Sequence, residues 1–130
     1  MEFKGAIVYI LDDDPSVRRS LERLARSAGF EAVGFATGGE FLAAQREGRP
    51  ACVVLDLRLP DMNGLDVQRQ LSRMDPDLRV LVLTGYGDDR ARQEALAGGA
   101  VAFLFKPCAD EELLDAIRQA LGGSPAGAGR

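Results

Sequence analysis

The sequence alternates between two patterns, and that alternation leaves few folds open. Ala6–Leu11, Ala51–Leu55, Arg79–Leu83 and Val101–Phe105 are short runs dense in Val, Ile, Leu and Phe. Nearly continuous apolar runs of this length are how strands covered on both faces read. Glu31–Phe35 is more mixed and reads as an edge strand. Between the runs, apolar residues recur at helical spacing. Strands and helices in strict alternation predict an α/β domain, a parallel sheet with helices on both faces and right-handed crossovers. Five such (βα) units favour the doubly wound order 2-1-3-4-5.

Start and stop signals bound the helices. Asp14 is placed as an N-cap with Pro15 in the first turn, Val17, Leu21, Leu24, Ala25 and Ala28 follow helical spacing, and Gly29 stops the run. Thr37-Gly38-Gly39-Glu40 fits a capping box, with Gly48 as the expected terminator. Asn63 caps a helix carrying Val67, Leu71 and Met74. Asp88 or Asp89 starts a short, alanine-rich and poorly amphipathic helix ending near Gly98-Gly99. Asp110 is expected to cap a last helix carrying Leu113, Leu114, Ile117 and Leu121.

A length of 130 residues suits one domain with a single core. The expected division is a domain over residues 1–121 and a linker over residues 122–130, where "GGSPAGAGR" holds four glycines in nine residues. The net charge of −4 argues against nucleic-acid binding by this segment itself, which leans on a basic face. No apolar run approaches the ~20 residues of a membrane helix, and no signal-peptide pattern opens the sequence. With only Cys52 and Cys108, a disulfide is not expected and a cytoplasmic location fits. There is no histidine, so neither a His-ligated metal nor His-based catalysis is available.

In doubly wound sheets, ligands bind beyond the carboxyl ends of the strands. The first strand is followed by Asp12 and Asp13, the third by Asp56, the fourth by Thr84 and Gly85, and the fifth by Lys106 and Pro107. Adjacent carboxylates repel and lose hydration when enclosed, so they call for a positive partner. Oxygen-only ligands favour a hard dication, and Mg²⁺ suits them better than zinc. Mg²⁺ commonly shares its shell with phosphate, and Lys106 and Thr84 supply a charge and a donor for phosphate oxygens. Each of these residues alone reads as an ordinary turn, cap or surface group. Their coincidence at four strand ends is what points to a site.

The pair Asp12-Asp13, "LDLRLPDMNG" around Asp56, "LTG" with Thr84 and "FKP" with Lys106 together resemble the receiver domains of two-component response regulators. The resemblance covers about residues 5–121 and implies a flavodoxin-like receiver fold. "LTGYGDD" and "GAVAFLFKP" look most like receivers of the FixJ type. The resemblance implies that Asp56 is the phosphoacceptor. Asp13, Asp56 and the backbone carbonyl of Arg58 would bind Mg²⁺ directly, and Asp12 would act through water. Lys106 would pair with the phosphoryl group, or with Asp56 before transfer. Thr84 would hydrogen-bond a phosphoryl oxygen. Phe103 takes the position of the switch aromatic, and the Lys106–Pro107 peptide is expected to be cis. Arg58 and Tyr86 would flank the phosphoryl group and slow its hydrolysis. Cys108 stands where FixJ-type receivers usually have an aromatic.

The implied partners are a sensor histidine kinase, a second copy of the chain through the fourth helix, fifth strand and fifth helix, and DNA only through a separate output domain. A stand-alone receiver or the receiver of a hybrid kinase is the alternative. A Mg²⁺-dependent phosphatase of the haloacid-dehalogenase type would want Asp where Arg58 stands, and a flavodoxin would want a Ser/Thr/Gly-rich loop where "DDDPS" stands. The chain is therefore not expected to be an enzyme acting on external substrates.

Overall fold

In the computed structural model, residues 5–44, 48–85 and 88–122 are described. The elements are β1 (Ile7–Leu11), α1 (Pro15–Ser27), β2 (Glu31–Phe35), α2 (Gly38–Ala43), β3 (Ala51–Leu55), α3 (Gly64–Met74), β4 (Arg79–Thr84), α4 (Asp89–Ala97), β5 (Ala102–Phe105) and α5 (Asp110–Gly122). The strands form one parallel sheet in the order β2-β1-β3-β4-β5. The expected (βα)₅ doubly wound, flavodoxin-like fold is the one observed.

Alternation along each central strand divides the core in two. Ile7, Tyr9 and Leu11 face the same side as Val53, Leu55, Val80 and Val82, and are covered by Phe41, Val67, Leu71 and Ala95 from α2, α3 and α4. Val8, Ile10, Cys52, Val54, Leu81 and Leu83 face the other side, under Ala25 of α1 and Leu113, Leu114, Ile117 and Ala120 of α5. This two-sided burial is why the central strands carry no polar alternation. β2 lies at an edge, as its mixed sequence implies. β5 forms the other edge, and its Phe105 is exposed. The apolar sequence of β5 alone overstates its cover.

The caps explain several boundaries. Asp14 accepts from the backbone N–H groups of Ser16 and Val17, and Pro15 opens α1. Asn63 accepts from Leu65 N–H, and Asp88, rather than Asp89, caps α4 by accepting from Ala91 N–H. Thr37 accepts from Glu40 N–H, while Glu40 reaches back to Ala36 N–H.

Two expected boundaries shift. α2 ends at Ala43 with Ala44 in an extended conformation, well before Gly48. Gly48 does adopt the left-handed φ of 70° that glycine tolerates, but in the approach to β3. At α5, Leu113 N–H donates to Ala109 O, so Asp110 lies inside the first turn. Asp110, Glu111 and Glu112 there complement the helix dipole without any of them being the cap. Gly122 is the last residue of α5, and the remainder of the expected linker lies outside the described residues.

Candidate functional site

Sheet register assembles the site. Leu11 pairs with Leu55, so the next residues, Asp12 and Asp56, leave neighbouring strands at the same level. Asp56 N–H donates to Leu11 O, and Asp12 N–H donates to Phe35 O, carrying the ladder one step past the last paired side chains. Thr84 ends β4 and pairs with Phe105, which puts Lys106 just beyond the same rim. All five polar residues expected at the strand ends therefore meet.

Lys106 Nζ donates to Asp12 Oδ2 at 2.7 Å and to Asp56 Oδ2 at 3.0 Å. Thr84 Oγ1 donates to the other oxygen of Asp56, Oδ1, at 2.8 Å. Asp12 and Asp56 are only 3% and 5% exposed, and Thr84 is fully buried. Asp13 is exposed at the mouth of the site. Burial works against the Lys106 ammonium, but its hydrogen bonds and charge interactions with Asp12 and Asp56 outweigh that, and its pKa is raised. Thr84 thus engages the Asp56 carboxylate itself, with no phosphoryl group present.

The loop after β3 is folded tightly under the carboxylate. Arg58 N–H donates to Asp56 Oδ1, Arg58 and Asn63 form an isolated bridge, and Gly64 N–H donates to Leu57 O at 2.7 Å. A Cβ on Gly64 would stand 2.5 Å from Asp56 O and 2.6 Å from Leu57 Cα, so only glycine permits this closure. The Arg58 side chain is exposed. Tyr86 lies outside the described residues. Phe103 is half-buried against the core, with its ring centroid 5.3 Å from that of Phe105. The Lys106–Pro107 peptide is cis.

Oxygens of Asp12, Asp13 and Asp56 all lie within 4.8 Å of one another. An all-carboxylate set is the chemistry of a hard cation, so these residues fit Mg²⁺. With no histidine in the chain and both cysteines elsewhere, they do not fit zinc. Cys52 is buried in β3, where desolvation pushes its thiol up to about 12. Cys108 is pushed up to about 11 by partial burial and then by Glu112, whose Oε1 lies 3.5 Å from its Sγ. Both thiols stay protonated at neutral pH and are poor nucleophiles.

Two residues beside the site, Arg18 and Asp61, and one between α3 and α4, Gln68, make contacts that carry no sequence signal. Arg18 Nη1 donates to Asp12 O, Asp61 accepts from two N–H groups of α2, and buried Gln68 donates to Ala95 O. Their partners are backbone atoms, six residues away for Arg18 and more than twenty for Asp61 and Gln68, which no spacing rule announces.

A carboxylate cluster held by lysine at the switch point of a 2-1-3-4-5 sheet defines a class, the phosphoacceptor receivers of two-component signalling. The response regulator receiver domain family matches residues 8–118, and the chain belongs to it. Nodulation protein W of Bradyrhizobium diazoefficiens is 46% identical over 112 residues, 86% of this chain and 49% of that protein. Transcriptional regulatory protein TdiR of Thauera aromatica is 38% identical over 117 residues, 90% of this chain and 52% of that protein. The chain thus spans about half the length of these curated relatives. A CheY-like receiver domain protein from Methanospirillum hungatei has a TM-score of 0.84 at 29% identity, covering 90% of this chain and 94% of that one. As a receiver, the domain is a self-acting phosphotransfer module and not an enzyme for external substrates. Among the described residues, no helix is long and apolar enough to cross a membrane.

Proposed function

We propose that Asp56 accepts a phosphoryl group and that the domain relays this event to an output domain. The observation that carries the reading is the double engagement of Asp56, by Lys106 on one oxygen and Thr84 on the other, beside two further carboxylates. Asp13, Asp56 and the Arg58 carbonyl would hold Mg²⁺, and Asp12 would contribute through water. When bound, Mg²⁺ neutralises charge that develops on the transferred group.

The protein's own steps are positional. An Asp56 oxygen attacks phosphorus in line. The new O–P bond forms as the P–N bond to a histidine kinase's phosphohistidine, or the P–O bond of acetyl phosphate, breaks. The carboxylate is already ionised at neutral pH, so no general base is required. Lys106 exchanges Asp56 for a phosphoryl oxygen. Thr84, already at the carboxylate, exchanges its acceptor in the same way. That exchange biases the β4–α4 region and Phe103 between two states by no more than its differential interaction with them. Arg58 screens the phosphoryl group from water and lengthens its lifetime, a role Tyr86 shares.

The FixJ-type motifs, the half-length coverage of the relatives and the name of TdiR as a transcriptional regulatory protein support a DNA-binding output domain, a sensor histidine kinase as donor and a cytoplasmic setting. Incubation with acetyl phosphate and Mg²⁺, followed by intact mass measurement, tests the core of the reading. One added phosphoryl group, absent in Asp56→Asn, is expected. Steady hydrolysis of acetyl phosphate with no adduct would point to a phosphatase, and absence of any reaction to a passive module.

A further inference from the structure

The geometry points to Arg18 as a positioning residue for the metal-binding acids, seated in a notch that Gly34 leaves in the edge strand. This inference rests on the proposed Mg²⁺ site. Asp12 is tied at every polar group it has. Its N–H donates to Phe35 O, its Oδ1 accepts from Asp14 N–H at 3.0 Å, and its Oδ2 accepts from Lys106. Arg18, half-buried one turn into α1, makes the last of these ties by donating from Nη1 to Asp12 O at 2.8 Å. That carbonyl belongs to the peptide linking Asp12 to Asp13. Fixing its plane fixes where the Cα of Asp13 stands, and so narrows the positions its exposed carboxylate can reach.

The second observation is independent. Gly34 lies in β2 opposite Ile10, and a Cβ there would stand 2.8 Å from both Cγ and Cδ of Arg18 and would also collide with Glu22 Oε2. Glu22 Oε2, the nearest atom to that Cβ, and the arginine stem together occupy the space that any other residue at position 34 would fill. Gly34 is in strand conformation, so its conformational freedom is not what the position uses. Its lack of a side chain is.

Charge and position make opposite predictions, which is what makes the inference testable. Arg18 is a cation beside a cluster that binds a cation. By charge alone, removing it tightens Mg²⁺ binding. By position, removing it frees the Asp12–Asp13 peptide and weakens binding. Residues that orient metal ligands typically contribute 10–100-fold in affinity, and the lower end, about 10-fold, is expected for one acting through the backbone. Gly34→Ala reaches the same end with the arginine charge retained, because its new methyl displaces only flexible side-chain atoms.

The experiment titrates Mg²⁺ calorimetrically into the wild type, Arg18→Ala, Gly34→Ala and the double variant, with Tm in EDTA measured alongside. Both single variants are expected to bind Mg²⁺ about 10-fold more weakly, with the double variant no weaker than Arg18→Ala and Gly34→Ala close to the wild-type Tm. Unchanged or tighter binding in either single variant, or additive losses in the double, overturns the assignment of Arg18. Absence of Mg²⁺ binding by the wild type would overturn the metal reading itself.

Discussion

At the scale of single residues, the site is an electrostatic balance of one ammonium against three carboxylates, two of them buried. Lys106→Ala removes the cation and leaves Asp12 and Asp56 facing each other. Breaking a fully buried pair costs ~3–5 kcal/mol. Because a quarter of the Lys106 side chain is exposed, about 2 kcal/mol is the expected loss in urea denaturation with EDTA present. Saturating Mg²⁺ should recover part of it. The raised pKa of Lys106 sets the pH window. Its contribution is present in full below the unfolded value of 10.5 and is lost as pH rises through the higher folded value. The stability gap between wild type and Lys106→Ala should hold from pH 7 to 10 and close above pH 10.5; a gap that closes near neutrality would contradict this. Asp13→Asn has the opposite sign. Relieving like charge should raise stability in EDTA by roughly 0.5 kcal/mol and abolish the stabilisation by Mg²⁺, which mass action puts at about 1.4 kcal/mol when free Mg²⁺ is ten times its Kd. These residues were legible because each sits at the end of an apolar run. Arg18 was not, because its partner is a carbonyl and its seat is an absent side chain.

Among the elements, the least legible feature is how the loop after β3 is anchored. Asp61 accepts from Gly38 N–H at 3.0 Å and from Gly39 N–H at 2.9 Å, one carboxylate oxygen to each. Gly38 lets the start of α2 close on Met62, whose Cγ and Sδ would stand 2.7 and 2.6 Å from a Cβ there. The loop carrying Arg58 is thereby fastened to α2. The Gly39 and Gly38 N–H groups hold the Asp61 pKa below its ordinary value of 3.8. Its contribution is therefore present above pH 3.8 and lost as pH falls through the lower folded value. Asp61→Ala should lower Tm at pH 7, with Asp61→Asn between it and wild type, and the difference should vanish in strong acid. Thermal denaturation across pH 2 to 7 checks this. Helix starts at Asp14, Thr37, Asn63 and Asp88 were readable because a side chain makes each cap. The end of α2 was not, because Ala43-Ala44 carries no stop signal and the nearest glycine serves a later turn. Nor was the start of α5, where an acidic residue inside the first turn looks the same in sequence as one that caps it.

For the whole molecule, the sheet carries the polar cluster on its rim and an exposed aromatic, Phe105, on its β5 edge. The fold was legible because two-sided burial writes itself as apolar runs, and parallel order follows from alternation. What a single chain's pattern does not write is which face meets another molecule. Phe105, Val101 and Leu96 are 48%, 47% and 37% exposed on β5, just before it and on α4, and the Phe105 ring lies against that of Phe103. If phosphorylation makes a dimer through α4, β5 and α5, beryllofluoride and Mg²⁺ should raise the sedimentation coefficient at micromolar concentration, and Phe105→Asp should prevent it with the site intact. A wild-type chain that stays monomeric under those conditions would contradict the dimer.

The most direct test of the central claim is to locate the phosphoryl group. The protein is treated with acetyl phosphate, with Mg²⁺ or with EDTA, then reduced with borohydride and digested for mass spectrometry. Reduction converts an aspartyl phosphate to homoserine. The account predicts homoserine at position 56 alone, abundant with Mg²⁺, nearly absent with EDTA and strongly reduced in Lys106→Ala. Homoserine at position 12 or 13, or labelling of Asp56 indifferent to both Mg²⁺ and Lys106, would contradict it.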